Sequence, residues 1–200
     1  MTDLTPAQVA GHTKPRAGRV LQRLAASVAP TLAIVEIGVF KGRSACYLGT
    51  GARDGAGAHV WGVDPWDLPG ERYPFNWMEE RPSRHAFTKP ETREAAEAAV
   101  RDLGLEDTVT LVRGFSADVG ATWDGPRIGL LHVDGDHRAN AIRADWFAWR
   151  PHLAPGSVVA FDDHVRTCAD VITVVSELVR THQIDPPRMA TRRLAVTRVR

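Results

Sequence analysis

Between Leu130 and His164 the chain reads LLHVDGDH, then a helix-length segment, then LAPGSVVAFDDH. Continuous apolar runs separated by a helical stretch predict parallel strands joined by a crossover, because a strand covered on both faces needs no polar side. Both runs end in acids: Asp134 and Asp136 after the first, Asp162 and Asp163 after the second. In an open parallel sheet the carboxyl ends of the strands face one shared crevice. These carboxylates are therefore expected to converge, although 28 residues separate Asp134 from Asp162. Clustered carboxylate oxygens suit a hard divalent cation such as Mg²⁺. His137 and His164 stand beside them as candidate proton acceptors.

The rest of the chain extends the pattern. Residues 5–29 read as helical, with Val20, Leu21, Leu24 and Val28 on one face. LAIVEIG (32–38) is a buried strand, a helix covers 44–53, and HVWGVD (59–64) is a second strand. After a helix over 92–103, closed by Gly104, come strands at 108–114, 127–134 and 157–163, with helices at 138–151 and 169–181. The tail RMATRRLAVTRVR alternates and predicts one or two closing strands, its five arginines forming a solvated edge. The expected fold is α/β, a Rossmann-like, mostly parallel sheet with helices on both faces. One domain over 1–200 is expected, with an N-terminal helical segment at 1–30.

Residues 65–90 interrupt the rhythm with five prolines and the aromatics Trp66, Tyr73, Phe75, Trp77 and Phe87. A long irregular segment in a compact domain is usually functional. Trp66, Tyr73, Phe75 and Trp77 are candidate substrate contacts in a lid.

Composition narrows the partners. The chain is 44% hydrophobic and 24% charged, with a net charge of +1, so it offers no electrostatic footprint for nucleic acid or a membrane surface. The N-terminus lacks a basic segment followed by an apolar core. No apolar run nears the ~18 residues of a membrane span. Cys46 and Cys168 lack metal-site spacing and read as reduced packing residues. A cytoplasmic protein acting on a small molecule is expected.

The turn after the first strand, IVEIGVFKGRS, carries Glu36, Gly38 and Gly42. Its glycine spacing is not that of the dinucleotide fingerprint G-x-G-x-x-G, which argues against NAD. Asp64, ending the second strand, is placed to bond ribose hydroxyls.

Taken together, E-I-G-V-F-K-G, Asp64, H-V-D-G-D-H and L-A-P-G-S-V-V-A-F-D-D resemble the class I S-adenosylmethionine-dependent methyltransferases over about residues 32–165. Within them the chain is most similar to the metal-dependent O-methyltransferases of the catechol and macrocin types. The resemblance implies that Glu36, Gly38, Phe40 and Gly42 face the cofactor and that Asp64 holds its ribose. Gly114, Phe115 and Ser116 would lie by the adenine. Asp134, Asp162 and Asp163 would be ligands of Mg²⁺ or Mn²⁺, with Asp134 also near the cofactor. Catechol-type enzymes carry a catalytic lysine three positions after the first metal aspartate; this chain has His137 there. His137 or Asp134 is then the proton acceptor, and His164 a substrate contact. Relatives of this kind often form homodimers, and the N-terminal helix offers a surface for one.

Plainer roles exist for several of these residues. Asp134 or, better placed, Asp136 caps the next helix. His132 lies within a strand and reads as a core histidine. The resemblance implies methyl transfer to a hydroxyl of a small molecule. The rival readings are other metal-assisted chemistry on the same scaffold, such as hydroxylation, and a non-catalytic cofactor-binding partner protein.

Overall fold

The computed structural model describes residues 4–66 and 90–200. Tyr73, Phe75 and Trp77 lie outside the described residues, as does most of the 65–90 insertion. Seven strands form one sheet: β1 (Ala33–Ile37), β2 (His59–Asp64), β3 (Val109–Arg113), β4 (Ile128–Val133), β5 (Leu153–Phe161), β6 (Arg188–Met189) and β7 (Ala195–Arg198). Their order is β3-β2-β1-β4-β5-β7-β6. The first five are parallel; β7 runs antiparallel between β5 and β6. The predicted doubly wound, Rossmann-like α/β architecture is the one observed.

Alternate residues of each central strand feed two cores. Ile34, Val60 and Leu130 pack under α1 (Pro15–Ala26), α2 (Arg43–Asp54) and α3 (Pro90–Asp102). Val35, Leu131, Val133 and Phe161 pack under α5 (Ala139–Trp149) and α6 (Ala169–Arg180). A fully buried aliphatic side chain contributes about 1.5–3 kcal/mol, so these runs fix which strands are central. α4 (Ser116–Ala121), absent from the sequence reading, has six residues. That is too short to show helical periodicity.

The expected helix over 5–29 is divided. A 3₁₀ turn at Pro6–Gln8 is followed by irregular chain before α1. Pro15 occupies the first helical turn, and Lys14 before it is extended (ψ 145°), as the residue preceding a proline prefers. Arg43 takes up carbonyls of the intervening stretch: its Nε donates to Val9 O at 2.5 Å and its Nη1 to Thr13 O at 3.3 Å.

The sheet order reverses between β1 and β4, the place where such sheets open a ligand crevice. Register brings the strand ends level, with Ile37 opposite Val133 and Val133 opposite Phe161.

Candidate active site at the strand ends

Backbone bonds tie the strand exits together. Gly38 N–H donates to Val63 O at 2.9 Å, Asp134 N–H to Ile37 O at 2.8 Å, and Asp162 N–H to Val133 O at 3.0 Å. Gly38 has φ +86°, and a Cβ there would overlap the Asp134 carbonyl. Its lack of a side chain is thus explained by the neighbouring backbone as well as by the turn. Gly42 (φ 85°) forms the N-cap of α2.

Asp64 organises the loop between β1 and α2. Its Oδ2 accepts the amides of Val39 and Phe40, each at 2.9 Å, and its Oδ1 accepts Trp66 N–H at 2.7 Å. Burial pushes its pKa up against the pull of these amides. Both oxygens already receive donors, so ribose hydroxyls would use the remaining lone pairs. Trp66 differs from its expected role. It is 1% exposed, with φ +45°, and its Nε1–H donates to Phe40 O at 2.9 Å. It pins the loop from inside instead of presenting an exposed aromatic face.

Glu36 and His132 face each other across β1 and β4, 0% and 1% exposed, with Oε1 to Nδ1 at 3.0 Å. Burial pushes Glu36 up. Burial pulls His132 down, but Glu36, Asp134 and Asp162 outweigh it and hold the imidazole above its usual value. The pair is hydrogen-bonded inside the sheet. Among the described residues, Glu36 Oε2 and His132 Nε2 have no hydrogen-bond partner.

The acidic strand ends approach one another. His137 lies between two of them: Nε2 is 3.5 Å from Asp134 Oδ1, and Nδ1 is 3.6 Å from Asp163 Oδ2. Burial lowers the His137 pKa, but Asp134, Asp163 and Asp162 together raise it overall. Asp162 is pushed up to about 7 by burial and by the charge of Asp134, with Asp163 adding to them and His132 opposing. Asp163 has a left-handed backbone (φ +52°), a conformation that costs about 1–3 kcal/mol and collects at functional sites. Burial raises its pKa, but Arg193 and His137 hold it low overall. Arg193 Nε donates to Asp163 Oδ1 at 2.6 Å. Asp136 turns instead to Arg138, accepting its backbone N–H at 3.0 Å.

Elsewhere, Gly114 N–H donates to Asp64 O at 3.0 Å, and Phe115 is the N-cap of α4. Ser116 Oγ accepts Trp149 Nε1–H at 2.8 Å. His164 meets Arg193 through its backbone, N–H to O at 2.8 Å.

Three participants have plainer roles in the sequence, or none. Arg193 reads there as part of a solvated edge. Cys168 reads as packing, yet its thiol lies 3.6 Å from Asp163 Oδ2. His12 carries no sequence signal; it stacks on Phe40 with ring centroids 5.0 Å apart and feels the charge of Asp134. Burial is the main reason its pKa is lowered. No spacing rule links residue 12 to residue 134; only the fold brings them together.

Residues 35–164 match the family described as a methyltransferase domain. The chain belongs to this family. It is a class I S-adenosylmethionine-dependent methyltransferase, and solved structures share its fold. The O-methyltransferase NovP is 19% identical with a TM-score of 0.78, over 95% of this chain and 83% of that one. The O-methyltransferase from Bacillus cereus, in complex with SAH, is 16% identical with a TM-score of 0.69, over 97% and 86%. The O-methyltransferase TomG from Streptomyces achromogenes, involved in tomaymycin synthesis and in complex with SAM, is 19% identical with a TM-score of 0.64, over 94% and 79%. Among the described residues of this methyltransferase, no helix is long and apolar enough to cross a membrane.

Proposed function

We propose that this methyltransferase acts on oxygen, transferring methyl to a hydroxyl of a small molecule with the help of Mg²⁺ or Mn²⁺. The observation that carries the reading is the position of His137 between carboxylates from two strand ends, 3.5 Å from Asp134 Oδ1 and 3.6 Å from Asp163 Oδ2, with Asp162 next in the chain to Asp163. Burial, and after it the negative charge of Asp134, pushes Asp162 up to about 7. An all-carboxylate donor set fits a hard divalent ion, and these three aspartates would hold it. When bound, S-adenosylmethionine supplies an electrophilic methyl group, and the cation supplies Lewis acidity to the acceptor hydroxyl.

The chain's own groups do the rest. Gly38, Phe40 and Gly42 shape a preset turn for the cofactor, gripped by Asp64. Asp64 offers its spare lone pairs to the ribose, and Gly114, Phe115 and Ser116 border the adenine side. His137, held between Asp134 and Asp163, accepts the hydroxyl proton on a ring nitrogen, and those carboxylates stabilise the imidazolium that forms. Asp134 is the alternative acceptor. Glu36 and His132 are buried within the sheet, and His164 is a proposed substrate contact. Tyr73, Phe75 and Trp77, outside the described residues, are kept as proposed substrate contacts. The natural-product setting of TomG makes phenolic and sugar hydroxyls the first acceptors to try.

The test is a panel of such acceptors with S-adenosylmethionine, read by mass spectrometry for the gain of one methylene, with EDTA and then Mg²⁺ added. Transfer is expected to stop in EDTA and return with Mg²⁺. Undiminished transfer in EDTA removes the metal from the reading, and failure of S-adenosylhomocysteine to bind removes the cleft.

A further inference from the structure

Three donors of different hardness meet at the end of β5. His137 Nδ1 is 3.6 Å from Asp163 Oδ2, Cys168 Sγ is 3.6 Å from the same oxygen, and the three residues' ligand atoms all lie within 4.8 Å of one another. Tetrahedral zinc, with bonds of about 2.0–2.3 Å, sets its ligand atoms roughly 3.3–3.8 Å apart. Both separations to Asp163 Oδ2 already fall in that range, and the His137–Cys168 pair lies within 4.8 Å.

We infer that His137, Asp163 and Cys168 form a binding site for a thiophilic first-row cation of the zinc type, distinct in ligand set from the carboxylate site and sharing Asp163 with it. The surroundings match what such ligands need. A ligating histidine generally donates its other ring N–H to a carboxylate. Nε2 of His137 is buried with no hydrogen-bond partner among the described residues, and Asp134 Oδ1, 3.5 Å away, is the nearby carboxylate that could accept from it. A ligating carboxylate is generally held by a further donor, and Arg193 Nε grips the other oxygen of Asp163 at 2.6 Å. Thiolate and imidazole select zinc, cobalt and similar ions over Mg²⁺. Binding displaces the thiol proton from Cys168, which leaves to solvent.

The consequence is competition. An ion at this site occupies the ring proposed above as proton acceptor and one oxygen of Asp163. It would exclude Mg²⁺ from that oxygen and silence the base together. The site itself stands on geometry that holds whether or not methyl transfer to oxygen is the reaction.

Co²⁺ alone is the probe, titrated into reduced, chelator-stripped protein and followed by absorption. Thiolate-to-cobalt charge transfer in the near ultraviolet and intense tetrahedral visible bands are expected at one equivalent. Cys168→Ser should abolish the charge-transfer band, and His137→Ala should weaken Co²⁺ affinity by about tenfold or more. Cys46 is an internal control, fully buried with its thiol pushed up to about 12. Circular dichroism establishes that each variant is folded. Folded wild-type protein without the band overturns the inference. So does a band that persists in Cys168→Ser, or an affinity unmoved by His137→Ala. None of these outcomes depends on methyl transfer, so this site and the transferase reading fail separately.

Discussion

Gly38 and Asp134 are packed backbone against backbone at the point where β1 and β4 leave the sheet. No side chain fits between them. This contact sets the floor of the crevice, and it changes what a substitution at Gly38 reports.

Gly38→Ala should lower stability by about 2–4 kcal/mol, from the positive φ and from overlap with Asp134. Gly57 is the comparison. It has nearly the same φ, +87°, but no atom lies within 4 Å of the place its added methyl would take. Gly57→Ala should therefore cost only about 1–2 kcal/mol. Urea denaturation measures both, and equal costs would remove the close approach from the account.

Asp64→Ala should loosen the β1–α2 loop by deleting the acceptor of three amides at once. The expected loss is about 1.5–3 kcal/mol of stability per strong charged bond, partly recovered by water. S-adenosylhomocysteine affinity should fall by at least about tenfold, read by calorimetry. Asp64→Asn keeps one acceptor oxygen and should fall between the two. Unchanged affinity in both variants would separate the loop from the cofactor.

Stability should fall as pH rises from about 5 to about 8 in EDTA. Asp162 keeps its proton in the folded state up to about 7. The unfolded chain releases it near the ordinary aspartate value, about 3.9. Between those values the folded state binds more protons, so each step upward in pH favours unfolding. His137, also raised, acts with the same sign: its contribution is complete below the ordinary imidazole value and is lost as pH passes through the folded one. Thermal melts are the measurement. Asp162→Asn should flatten the slope, and Mg²⁺ should raise Tm more at the alkaline end than at the acid end.

His137→Ala should reduce kcat by about 10²–10⁴-fold with cofactor affinity nearly unchanged, the usual consequence of removing a general base. His164→Ala is the control and should stay close to wild type in kcat, because its hydrogen bond to Arg193 is made through the backbone. Reversal of the two phenotypes would exchange the roles.

The strand pattern is legible because buried parallel strands read as continuous apolar runs, and the acids at Asp64, Asp134, Asp162 and Asp163 mark where those runs stop. Local signals also mark Gly38 and Gly42. What stays hidden depends on distant pairing. Arg193 reaches Asp163 only because β7 inserts beside β5, and a basic, alternating tail reads equally as an exposed edge. Glu36 and His132 are 96 residues apart and meet through register. Trp66 reads as a lid residue because aromatics among prolines suggest a loop surface. In fact its indole N–H finds an inward acceptor, which lets the ring be buried.

The grip of Asp64 on the amides of residues 39 and 40 also bears on kinetics. A loop already held in shape has little conformational entropy left to lose when a ligand arrives. S-adenosylhomocysteine should therefore associate in a single phase whose rate climbs in proportion to concentration, without the plateau that a slow rearrangement imposes. The backbone around Phe40 would then be a mould cast during folding, and not a clasp that closes at each turnover.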